Sequence, residues 1–155
     1  MADEDFPSRT FYLCHSPFLA NLPSIVTPTS RYFALFLAMD ARGIRDIAIL
    51  DLARAMLKKG LACLCSWGPG CERVHDLFDE AMWPEIPNPT DGNVIMTTWH
   101  SNEPLKYALW YFAHAAFAAE DYSQTCTDWV AGCVGNPEWE QTIKKKLQGL
   151  ARLHT

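Results

Sequence analysis

Residues 61–78 read Leu61-Ala62-Cys63-Leu64-Cys65-Ser66-Trp67-Gly68-Pro69-Gly70-Cys71-Glu72-Arg73-Val74-His75-Asp76-Leu77-Phe78. From Leu61 to Ser66 the chain carries no charge and is almost wholly apolar, as expected of a strand covered on both faces. Gly68-Pro69-Gly70 then breaks any regular element. From Gly70 to Trp83 the period changes: Val74, Leu77, Phe78, Ala81 and Met82 follow the i, i+3, i+4, i+7, i+8 spacing of an amphipathic helix, which Pro84 ends. Buried strand, glycine elbow, amphipathic helix is the repeating unit of a parallel α/β layer.

The same unit recurs on either side. Tyr32 to Met39 is an unbroken β-compatible run. Gly43 to Lys59 is helical, with Ile49, Leu52, Ala53 and Met56 on one face, Lys58 and Lys59 at its end and Gly60 as the stop. After a proline-rich loop from Pro84 to Gly92, Asn93 to Trp99 reads as a third strand. Ser101 or Asn102 then caps a helix with Pro104 in its first turn, running to about Ala118. That helix is apolar nearly all round, so it is expected to be buried on both sides or to form a self-association face, as in a homodimer, with His114 a hydrogen-bonded core histidine. Thr125 to Val134 fits a strand, although Tyr122, Cys126, Trp129, Val130 and Cys133 also fit a helical stripe. The Gly135-Asn136-Pro137 junction favours the strand. A last helix runs from Pro137 to about Leu153 with Trp139, Ile143, Leu147 and Leu150 inward. Residues 1–30, with Pro7, Pro17, Pro23 and Pro28, read as an irregular N-terminal arm in which Phe11 to His15 is a candidate edge strand. Residues 31–155 read as a single α/β domain: a three-layer sandwich around a mainly parallel sheet of four or five strands.

Composition narrows the function. The chain has 155 residues, 49% of them hydrophobic, and a formal net charge of −5. Such a charge argues against nucleic acid as a partner, because phosphate neutralisation needs a basic stripe. The one basic run, Lys144-Lys145-Lys146, points three ways on a helix and reads as a solvated face. The acidic start Met1-Ala2-Asp3-Glu4-Asp5 is unlike a secretory signal, and no stretch approaches the ~18 apolar residues of a membrane span. A cytoplasmic protein with no membrane association is expected, its six cysteines reduced.

Chemistry concentrates in two elbows, Ser66 to Glu72 and Thr97 to Ser101. In an open α/β sheet, the loops at the carboxyl ends of neighbouring strands receive ligands. Trp67, Gly68, Gly70, Glu72, Thr98, Trp99 and Ser101 are therefore the candidate ligand- or partner-binding residues, and Asp40 and Asn136 should reach the same edge. Cys71 opens a helix, where free N–H groups and the helix dipole favour a thiolate. With His100 as base and Asp76 or Glu72 to orient it, Cys71 would complete a catalytic arrangement for acyl or glycosyl transfer. The plainer alternative is a packed thiol beside a capping histidine.

Cys63, Cys65, Cys71 and His75 form Cys-x-Cys-x5-Cys-x3-His, but the first pair lies inside an apolar strand rather than in a zinc knuckle. Neither a metal nor a cofactor is expected. Gly68-Pro69-Gly70 before a helix could receive a small anion, though it matches no phosphate-binding fingerprint. Glu72, Asp76, Asp79 and Glu80 form an acidic helix face that would suit a basic protein partner. The reading is a binding or accessory protein working through the carboxyl edge; the alternative is a thiol-dependent hydrolase or transferase using Cys71 and His100.

Trp67-Gly68-x-x-Cys71, followed by the acidic helix with Asp76 and Asp79 and then by Met96-Thr97-Thr98-Trp99-His100, resembles a family of small uncharacterised bacterial proteins. The resemblance covers roughly residues 60 to 118. It implies a domain of unknown function with an α/β fold, and it assigns no activity.

Overall fold

Tyr32–Ala38 (β2) is covered on both faces and lies inside a parallel sheet, as its uninterrupted apolar run requires. The computed structural model describes residues 8–84, 86, 88–150 and 153–154. The other strands are Thr10–Ser16 (β1), Leu61–Trp67 (β3), Met96–His100 (β4), Cys126–Val134 (β5) and the two-residue Leu153–His154 (β6). Their order is β4-β3-β2-β5-β1-β6, and every neighbouring pair is parallel. The helices are Leu22–Ile25 (α1), Asp46–Lys59 (α2), Cys71–Met82 (α3), Leu105–His114 (α4) and Pro137–Gln148 (α5).

Alternation along the strands divides the apolar side chains between two cores. Phe33, Leu35, Leu37 and Leu64 face Leu22 of α1, Ile49 and Met56 of α2, and Val74 and Phe78 of α3. Ala34, Phe36, Cys63 and Cys65 face Leu109 and Phe112 of α4, and Ile143 and Leu147 of α5. The molecule is thus a three-layer α/β sandwich.

Three local details differ from the sequence reading. The segment read as an irregular arm contributes a seven-residue strand, β1, which pairs with β5 over its whole length. The candidate edge strand Phe11 to His15 is thus longer by one residue at each end, and it lies between β5 and β6 rather than at the edge. The helix expected to start at Ser101 or Asn102 instead has Pro104 as its N-cap, because Asn102 adopts a left-handed φ of 58°. It ends at His114, and only one of its faces is buried: Tyr107 and Trp110 are 61% and 60% exposed. His114 is exposed as well, with its ring 5.3 Å from that of Trp110, rather than being a core histidine. The final helix stops at Gln148, and Leu153 belongs to β6.

Candidate functional site

β3 and β4 are neighbours in register, with Cys65 beside Thr98 and Trp67 beside His100. Their elbows therefore open side by side. Together they enclose a depression of about 530 Å³ lined by Trp67 to Glu72 on one side and His100 to Glu103 on the other.

The strand order also defines a split at β2 and β5, whose outgoing connections run to opposite sides of the sheet. The β3 elbow and Trp67 reach across that split. The Met39 amide donates to the Trp67 carbonyl at 3.2 Å, and the Ala41 amide donates to the Pro69 carbonyl at 2.8 Å. The β3 elbow thus folds over the end of β2. Trp67 also meets Trp139 of α5 edge-on, with ring centroids 4.9 Å apart. Asp40 and Asn136, which were expected at this edge, are engaged elsewhere. Asp40 accepts from the Arg42 side chain at 3.0 and 2.8 Å, and Asn136 caps α5 by accepting from the Trp139 amide at 3.1 Å.

Gly68 permits this closure. Its φ is +113°, and an added Cβ would collide with the Met39 carbonyl oxygen. Gly70, at φ +80°, is the N-cap of α3 and provides no side-chain cap. Arg73, in the first turns of α3, faces away from the depression. Its guanidinium donates to the Ala41 carbonyl and to the Ile44 carbonyl at 2.9 Å, and it pairs with Asp46.

His100 is held on three sides and is only 6% exposed. Its Nε2 lies 2.9 Å from Thr98 Oγ1 and its Nδ1 lies 3.1 Å from Glu103 Oε2, while its ring packs at a tilt against Tyr111, centroids 4.8 Å apart. Desolvation alone would lower the His100 pKa, but Cys65 and the Glu103 carboxylate outweigh it and hold the imidazole above its ordinary value. Beneath it, Cys65 and Cys63 titrate as a pair. Cys65 is drawn down, first by the Cys63 thiol, against its own burial, with further help from His100 and Thr98; Cys63 is driven up.

Cys71 is 3% exposed and its Sγ lies 3.7 Å from Ser101 Oγ. Cys71 and His100 line the same depression, yet both His100 nitrogens face Thr98 and Glu103. Asp76 lies 2.9 Å from Nδ1 of His75, so the carboxylate read as a partner for His100 serves the neighbouring histidine. Glu103 takes that place. It was missed in the sequence reading, although it stands three residues after His100, just before a proline.

Of the expected binding residues, Trp67, Gly68, Gly70, Glu72 and Ser101 line the depression. Thr98 sits behind His100, and Trp99 packs at a tilt against His75, centroids 4.5 Å apart, on the α3 side, because strand alternation turns it to the opposite face from His100. Pro69, Asn102 and Glu103 join the lining.

The electrostatics of the depression are acidic. Glu72 and Glu103 stand on its walls, Glu103 paired with His100, and none of its ten lining residues is Lys or Arg. Asp76, Asp79 and Glu80 extend this charge along α3. The four residues of the Cys-x-Cys-x5-Cys-x3-His pattern separate: Cys63 and Cys65 face the α4–α5 layer, whereas Cys71 and His75 belong to α3 on the other side. Among the described residues, no group of three or more His, Cys, Asp or Glu could hold a metal ion. No helix is long and apolar enough to cross a membrane.

The fold and its carboxyl-edge depression define a parallel, doubly covered α/β domain. Residues 10–149 match the family described as Domain of unknown function (DUF7684), and the chain belongs to it. The match includes β1 and α5, beyond the stretch that carries the sequence resemblance. No curated protein and no solved structure matches the chain.

Proposed function

We propose that this is a cytosolic binding or accessory protein that receives a basic group of a protein partner at the carboxyl edge of β3 and β4. The observation that carries the reading is the convergence of both elbows on one acid-lined depression. Glu72 and Glu103 favour a guanidinium or ammonium over a small anion, since placing a phosphate between two carboxylates is repulsive. Arg73 does not offset them, because its guanidinium is paired with Asp46 and held on the carbonyls of Ala41 and Ile44. The acidic side of α3 would steer such a partner toward the site.

Isothermal titration of the full chain with a short arginine-rich peptide tests this proposal. Saturable binding that weakens at least tenfold in Glu72→Lys and falls with salt is the expected result. An equal response to a peptide of opposite charge would overturn it. Thiol-dependent chemistry at Cys71 with His100 is the competing reading. Burial of Cys71 and the two hydrogen bonds already held by His100 weigh against it. Selective alkylation of Cys71 by iodoacetamide near neutral pH, well ahead of Cys63 and Cys65, would instead favour the enzyme.

A further inference from the structure

A second concave surface, on the helical layer opposite α3, has the reverse polarity. It is the groove between α4 and α5, with a volume of about 330 Å³. Its floor is apolar: the half-buried Leu150 is the accessible part, with Leu109 and Leu147 buried beneath it. Trp110, 60% exposed, stands beside them. Lys106, Lys145 and Lys146 form the rim, and all three are exposed.

The charge here runs against that of the whole chain. The net charge is −5, yet neither Leu105–His114 nor residues 141–150 contain an acidic residue. Helix α5 keeps its carboxylates, Glu138 and Glu140, in its first turn, away from its lysine end. A second copy seated through the same face would set lysines against lysines, so symmetric self-pairing is opposed. An apolar floor, a rigid aromatic wall and a cationic rim are instead complementary to an apolar anchor flanked by carboxylates.

We propose that the α4–α5 groove binds an acidic peptide segment of a partner protein. An aromatic or aliphatic anchor of that segment rests on Leu150 against Trp110, and its carboxylates meet Lys106, Lys145 and Lys146. Exposed ion pairs are individually weak, so the anchor supplies most of the affinity, and the lysines supply rate, register and salt dependence.

Fluorescence anisotropy of the full chain with a short labelled peptide, in which glutamates flank a central phenylalanine, tests the proposal. Saturable binding is expected. It should weaken about tenfold in Trp110→Ala, and at least as much in the double variant Lys145→Glu, Lys146→Glu. All three positions are exposed, so far-UV circular dichroism should be unchanged. Glu72→Lys, at the other site, should leave this binding intact, which separates it from the basic-partner reading. Three results would each overturn the proposal: no binding, binding indifferent to these substitutions, or equal competition by tripolyphosphate or by an all-glutamate peptide lacking the anchor. The last would mark a general polyanion surface.

Discussion

The indole Nε1 of Trp67 donates to the main-chain carbonyl of Glu103 across 2.8 Å, and this bond fastens the β3 elbow to the β4 elbow. The carboxylate of the same Glu103 holds His100. One loop residue thus fixes the relative position of both walls of the depression. Trp67→Phe keeps an aromatic ring against Trp139 but removes the donor. It should cost about 0.5–1.5 kcal/mol in urea unfolding. It should also weaken binding of a basic peptide, because the walls are no longer tied. An unchanged unfolding midpoint would show that the bond contributes nothing to the architecture.

Gly68 should be the least replaceable glycine of the elbow. At φ +113° an alanine is strained, and its Cβ meets the Met39 carbonyl oxygen, which belongs to backbone that also bonds Trp67. Gly68→Ala should lose about 3 kcal/mol, adding this collision to a backbone term of about 1–2 kcal/mol. Gly43→Ala is the control. Its φ is +79° with nothing within 4 Å of the added Cβ, so only the backbone term applies. Equal losses in thermal or urea unfolding would contradict the account.

Arg9 ends α4. Its guanidinium donates to the carbonyls of Phe112 at 3.2 Å, Ala113 at 2.8 Å and Ala116 at 2.6 Å, and lies 3.7 Å from the Trp129 ring centroid. The carbonyls left unpaired at a helix C-terminus need donors, and a cation suits the dipole there. Arg9→Ala should cost about 2–3 kcal/mol, and Arg9→Lys should recover only part of it, since one ammonium cannot span three carbonyls. Urea unfolding of the two variants, with hydrogen exchange at Phe112 and Ala113, checks this.

His100 should give stability a defined pH dependence. Its folded pKa is raised above the ordinary 6.5 by Cys65 and Glu103, against desolvation. A raised histidine pKa means that the folded state binds the proton more tightly. The stabilisation is complete below about pH 6.5 and fades as pH rises through the folded value. The stability advantage of the natural chain over His100→Gln should therefore shrink as pH rises from about 6.5 to 8.5. An advantage that grew over that interval would reverse the sign and exclude the imidazolium.

Much of the architecture was legible because it is written locally. An apolar run followed by a glycine elbow and an amphipathic stripe marks β3 and α3, and Gly60, at φ +102°, closes α2 where its sequence position indicates. Contacts between distant segments were not legible. β1 was read as a candidate edge strand, but its place between β5 and β6 is set by pairing with the end of the chain. The end of α4 is set by Arg9, more than a hundred residues earlier. The two elbows were identified, but their internal pairing was not. Asp76 neighbours His75 on a helix turn, whereas Cys65 reaches His100 only through the register of β3 with β4, which no local pattern encodes.

The most direct measurement is a two-dimensional ¹H–¹⁵N titration of the full chain with an arginine-rich peptide. The indole resonance of Trp67 and the amides of Gly70, Glu72, Ser101 and Glu103 should shift together and saturate at one concentration, with the α4–α5 groove silent. Shifts confined to other surfaces, while those five signals stay fixed through saturation, would contradict the assignment of the β3–β4 depression as the docking site.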